Sequence, residues 1–140
     1  MLFRSAGEAG SYTIKATDVG LTSATSSSFS VTVGAAAKVV FTTQPGGGAD
    51  GVVWSAQPAV SVEDSGGNVV TGNASAVTLA IASQPGSGAA LSCTKNSVTA
   101  SAGVAAFAGC KIVGEAGSYT IKATDGSLTS ATSSTFSVSL

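Results

Sequence analysis

The chain has 140 residues, of which six are basic and seven acidic, with a formal net charge of −1 and no histidine. The missing histidine excludes Ser-His-Asp and Cys-His nucleophilic centres, and so few scattered cations make no field for nucleic acid or an anionic membrane surface. A hydrophobic content of 44% suits one packed domain rather than a disordered chain, and 39 Ser and Thr residues imply a surface covered by hydroxyls.

At the start of the chain, Leu2-Phe3-Arg4-Ser5 resembles the translated end of a common sequencing adapter, so residues 1–5 are read as a non-native start. Residues 7–33 read GEAGSYTIKATDVGLTSATSSSFSVTV, and residues 114–140 repeat them 107 positions later. Only five of 27 positions differ: Val19/Gly126, Gly20/Ser127, Ser28/Thr135, Thr32/Ser139 and Val33/Leu140. Such a period is too long for a solenoid and fits one complete β-sandwich domain. The expected organisation is therefore the C-terminal strands of a preceding repeat in residues 1–33 and one complete domain in residues 34–140. The expected partners are neighbouring repeats of the same chain. The first segment has no sandwich of its own, and its apolar strands Tyr12-Ile14 and Phe29-Val31-Val33 are an edge liability. Strand-swapped self-association through residues 7–33 is the expected consequence.

Gly34-Ala35-Ala36-Ala37 is a short linker that should couple neighbouring domains closely. After it, Gln44-Pro45 and three glycines at 46–48 signal a turn. Trp54, in the apolar run Val52-Val53-Trp54, is read as core, with a sugar-stacking platform as the alternative. Val60 and Val62 alternate with Ser61 and Glu63, and Val77, Leu79 and Ile81 repeat the pattern, as half-buried strands do. Between those strands, residues 64–68 (Asp-Ser-Gly-Gly-Asn) form a turn, and Asn73-Ala74-Ser75 matches a glycosylation acceptor. Gln84-Pro85-Gly86 is the next turn. Phe107 and Cys110 cannot both face inward on a regular strand, so a bulge is expected near Ala108-Gly109. Tyr119, Ile121 and Ala123 share one strand face, Asp125-Gly126 turns the chain, and Phe136, Val138 and Leu140 alternate with serines. Seven or eight such strands at this spacing predict a sandwich.

Cys93 and Cys110 lie 17 positions apart, too few ligands for zinc. A disulfide is expected, with two buried thiols as the alternative. The bond would contribute about 3 kcal/mol and point to a location outside the cytosol.

The runs VSVEDSGGNVV at 60–70, VTLAI at 77–81 and GSYTIKA at 117–123 resemble bacterial immunoglobulin-like (Big-type) repeat domains. That resemblance implies an all-β, immunoglobulin-like antiparallel β-sandwich of about seven strands, preceded here by an orphan hairpin. It also implies an extracellular or cell-surface location and arrays like those of invasin- and intimin-type adhesins. The Gly-x-Tyr ending at Tyr119 resembles a tyrosine corner, whose hydroxyl ties a late strand to upstream backbone. The cysteines depart from the antibody pattern because they do not flank Trp54.

The seven acidic residues form no carboxylate pair suited to glycoside chemistry, and the glycines lack a phosphate-loop ending. No enzymatic activity and no cofactor are expected. Asp64, Asn68 and Asp125 are weak calcium candidates, set against the plainer reading that Asp64 and Asn68 shape a turn. The leading expectation is a structural spacer or stalk module supporting adhesion. The alternative is a ligand-binding module that recognises a host protein or glycan through loops 46–53 or 83–88.

Overall fold

The computed structural model describes residues 7–140, so the reading of residues 1–5 as non-native lies outside it. Two-residue alternation becomes strand wherever a buried face rewards it, and glycine or Asx residues end each run. Ahead of the sandwich, β1 (Gly10–Tyr12) pairs with β4 (Phe29–Val31), and β2 (Lys15–Ala16) with β3 (Ala24–Thr25), as one long hairpin. Then follow β5 (Lys38–Thr43), β6 (Gly48–Ala49), β7 (Ala59–Glu63), β8 (Ala76–Ser83), β9 (Ala90–Ser92) and β10 (Val98–Thr99). The last five are β11 (Val104–Ala106), β12 (Lys111–Val113), β13 (Gly117–Thr124), β14 (Ala131–Thr132) and β15 (Phe136–Ser139).

One layer has the order β11-β7-β5, and the other β10-β8-β13-β15-β6, with β14 also on β13 and a separate β12-β9 ladder. The pairings are antiparallel except β15 with β6, where the chain leaves the first layer after β5 and closes the second. The glycines at 46–48 make this crossing possible. Gly47 has φ +69°, and a Cβ there would lie 2.3 Å from the Ser137 carbonyl oxygen. Between the layers the core gathers Val39, Val60, Val62, Val77, Ile121 and Phe136. Trp54 packs edge-on against Phe136 with centroids 4.9 Å apart, and Tyr119 stacks on the same ring at 6.2 Å.

Several expectations need correction. Ser61 is fully buried, its outer face flanked by Val40 and Val104 on the neighbouring strands, and its hydroxyl donates to Glu63 Oε2 at 2.5 Å. Leu140 is exposed, one position beyond the end of β15. The expected bulge at Ala108-Gly109 is a break instead. β11 ends at Ala106, Gly109 takes φ +65°, and β12 begins at Lys111, so Phe107 and Cys110 both reach the core from the irregular stretch between the two strands. A Cβ on Gly109 would collide with Thr94 Oγ1 at 2.2 Å, which fixes glycine at that corner.

Cys93 and Cys110 are disulfide-bonded, each one position beyond the paired Ser92 and Lys111. The segment that this bond closes contributes β10 to one layer and β11 to the other, joined by a two-residue turn at Ala102-Gly103 with φ of 50° and 78°. The bond therefore anchors a crossover that edges both sheets.

Strand β13 defines the two poles of the sandwich. Gly117 lies beside Val138, near the exit of the chain, and Thr124 beside Thr78 at the other end, roughly 23 Å away at the usual strand rise. The entry pole holds the linker at 34–37 with turns 64–68 and 125–128, because Lys38 neighbours Glu63 and Thr129. The exit pole holds loops 50–53, 84–88 and 113–117. There Gly51 N–H donates to the Ile112 carbonyl at 2.8 Å, and Gly86 and Gly117 approach Glu115 and Pro85.

Candidate functional site

The most heavily bonded polar cluster sits at the entry pole, on the turn after β7. Strand β7 ends there in a turn for which Gly67 takes φ +86°, and past the turn Val69 bridges back to Glu63 while Val70 N–H donates to the Val62 carbonyl at 2.9 Å. Asp64 N–H donates to the Asn68 carbonyl at 2.9 Å, which closes the turn. Asp64 Oδ1 accepts from the N–H groups of Gly66 and Asn68, each at 2.9 Å, and Oδ2 accepts from Gly34 N–H at 2.9 Å. The carboxylate thus shapes its own turn and holds the incoming linker. Gly34 N–H most of all, then the Asn68 backbone and side-chain donors, keep the Asp64 carboxyl low, lowered to about 2 against the opposing effect of burial.

Asn68 extends the cluster beyond the sandwich. Its Nδ2 group donates to both Asp64 oxygens, at 3.0 and 3.1 Å, and also to the Gly7 carbonyl at 3.0 Å. Its Oδ1 accepts from Ala9 N–H at 2.8 Å. One amide side chain therefore grips the loop at 7–9, which opens the leading hairpin, while the carboxylate beside it grips the linker that closes the hairpin. Gly66 lies beneath that loop, and a Cβ there would come within 2.3 Å of the Gly7 carbonyl oxygen.

Asp64 and Asn68, two of the three calcium candidates, are brought together, but the carboxylate oxygens face N–H donors. That surrounding suits an anion, not a shared cation. Asp125 has other partners: the Ser75 hydroxyl lies between Asp125 Oδ2 and Asn73 Oδ1. Among the described residues no group of three or more His, Cys, Asp or Glu could hold a metal ion. The same contacts show Asn73-Ala74-Ser75 as a closed turn, with Ser75 N–H on Asn73 Oδ1 at 2.9 Å.

At the exit pole, the Tyr119 hydroxyl donates to the Glu115 carbonyl four residues upstream at 2.7 Å, the corner that the Gly-x-Tyr pattern suggested. Burial raises the phenol's pKa, and the charges of Glu115 and Asp50 add to the effect. Trp54 is 2% exposed, which leaves no face for sugar stacking, and its Nε1 has no hydrogen-bond partner among the described residues. The run around it is split, since Val52 and Val53 are 55% and 51% exposed. Among the described residues no helix is long and apolar enough to cross a membrane.

No family model and no curated protein matches the chain. A solved structure is similar: a glycosyl hydrolase family 2 member from Bacteroides cellulosilyticus, 13% identical, with a TM-score of 0.57. The match covers 91% of this chain and only 17% of that one, so this chain spans less than a fifth of its neighbour's length. The likeness carries the fold. This is an immunoglobulin-like β-sandwich.

The 64–68 turn was legible from its residue types, and its role as a clamp was not. Gly7, Ala9 and Gly34 act through backbone atoms, which leave no signature in side-chain identity. The one available hint is the glycine at 66, more than a turn of this length strictly needs.

Proposed function

We propose that the domain is a non-catalytic spacer module of a repetitive extracellular or cell-surface protein, where it holds other parts of the molecule at a distance and supports adhesion. The observation that carries the reading is the position of the two chain ends. The polypeptide enters the sandwich at one pole and leaves at the other, so each added copy extends an array by the length of a domain. The near-identical segment at 7–33, held at the entry pole by Asn68 and linked through Gly34, supports it. So does the disulfide, which suits an oxidising compartment. Small-angle scattering from an array of several repeats tests the reading: the maximum dimension should grow in proportion to the repeat number, and a compact particle would overturn it.

A second reading has one observation in its favour. Val52 and Val53 are exposed on loop 50–53 of the exit pole, where a host protein or glycan could bind. A glycan array and a cell-binding screen with the chain separate the two readings, because a pure spacer gives no signal in either.

A further inference from the structure

We infer that the exit pole is a docking face for the entry pole of a second copy of the domain, with loop 114–116 of one repeat seated on the 64–68 turn of the next. The inference deepens the spacer reading and rests on it for its biological use.

Its basis is a contact already present within the chain. Loop 7–9 lies on Asn68 through two hydrogen bonds, Ala9 N–H to Oδ1 at 2.8 Å and Nδ2 to the Gly7 carbonyl at 3.0 Å. The sequence GEAGSY around that loop recurs unchanged at 114–119. Its local shape recurs too: Tyr12 bonds the Glu8 carbonyl as Tyr119 bonds that of Glu115, and Gly10 faces Val31 as Gly117 faces Val138. The matching groups on the second loop are Ala116 N–H and the Gly114 carbonyl. Neither has a hydrogen-bond partner among the described residues, and Glu115 and Ala116 are exposed. The unused donor and acceptor have the arrangement that Asn68 satisfies on loop 7–9, at separations of 59 and 61 positions.

Two independent features fit the same contact. Gly66 leaves room for the approaching loop, since any Cβ would meet the Gly7 carbonyl. Beside the free loop, Val52, Val53 and Val113 are 55%, 51% and 50% exposed, an apolar border that a second sandwich would cover. The connection also matches, because β15 ends next to Leu140 at this pole as β4 ends two residues before Val33, the residue that precedes Gly34.

The test is the 140-residue chain extended at Leu140 by one further copy of residues 34–140, compared with the original chain by NMR hydrogen exchange. The Ala116 amide should exchange about tenfold more slowly in the extended chain, the factor given by one net hydrogen bond of roughly 1.4 kcal/mol. Asn68→Ala in the added copy should return it to the original rate. Gly66→Ala in the same copy should do so by obstruction alone, while protection at Ile121 reports that both sandwiches remain folded. Unchanged Ala116 exchange and unshifted resonances at 113–116 would overturn the joint. An elongated but freely hinged particle would overturn the joint and leave the spacer reading standing, whereas a protected Ala116 in a compact particle would do the reverse.

Discussion

Ile14 and Ile121 occupy the same place in two nearly identical hairpins, yet the first is 64% exposed and the second fully buried. Residue type is equal in the pair, so a substitution isolates the value of tertiary contact. Ile121→Ala should cost about 2–5 kcal/mol through lost burial and the cavity left behind, and Ile14→Ala no more than about 0.5 kcal/mol. Denaturant titration followed through Trp54 fluorescence measures both. Asp64 gives a second residue-scale expectation. Its carboxyl is lowered from 3.8 to about 2 in the folded chain, so its stabilising contribution is fully present above pH 3.8 and is lost as pH falls towards 2. Thermal melts down the acid limb should show this loss, and Asp64→Asn should flatten it. A melting temperature equally acid-sensitive in the variant would remove Asp64 as the cause.

At the scale of elements, the two hairpins show how much local sequence decides. Ile14 N–H bonds Ser26 Oγ at 3.0 Å, and Ile121 N–H bonds Ser133 Oγ at 3.0 Å; Tyr12 stacks on Phe29 at 6.3 Å, and Tyr119 on Phe136 at 6.2 Å. The turns differ only where glycine moved. Gly20 takes φ +79° as the third residue of its turn, and Gly126 takes φ +50° as the second of its own, yet both close the same four-residue span. The strand faces around Tyr119 and Phe136 and the Asp125-Gly126 turn were legible from alternation and turn residues, whereas the register and the aromatic pairing came only with the structure. The break at Gly109 was not legible either, because periodicity records which residues are buried and not which sheet buries them. The disulfide closes the segment that edges both sheets. Replacing Cys93 and Cys110 together with Ala should lower stability by about 3 kcal/mol. Calorimetry checks the loss, and exchange at β10 and β11 should rise more than at β13.

For the whole molecule, the leading hairpin carries a formed but uncovered apolar face: Tyr12, Ile14 and Phe29 are 36%, 64% and 44% exposed, against 0%, 0% and 5% for their counterparts. Exchange of this hairpin for the one at 117–139 of another molecule would bury that face in a slot already shaped for it, and we propose this as the route to self-association. Light scattering at rising concentration should show oligomers for the full chain and a monomer for residues 34–140. Two monomers at high concentration would end the proposal.

The sequence alone determined the alternating faces of the main strands and the internal geometry that the two near-identical hairpins share, because those depend on side-chain alternation, glycine conformation and hydrogen bonds between near neighbours. Only the tertiary structure decided which hairpin has a covered face, which layer takes each strand, and that Asn68 clasps a loop about sixty positions before it. Those outcomes depend on long-range packing and on backbone amides and carbonyls, which every residue but proline carries alike and which therefore leave no trace in a string of side chains.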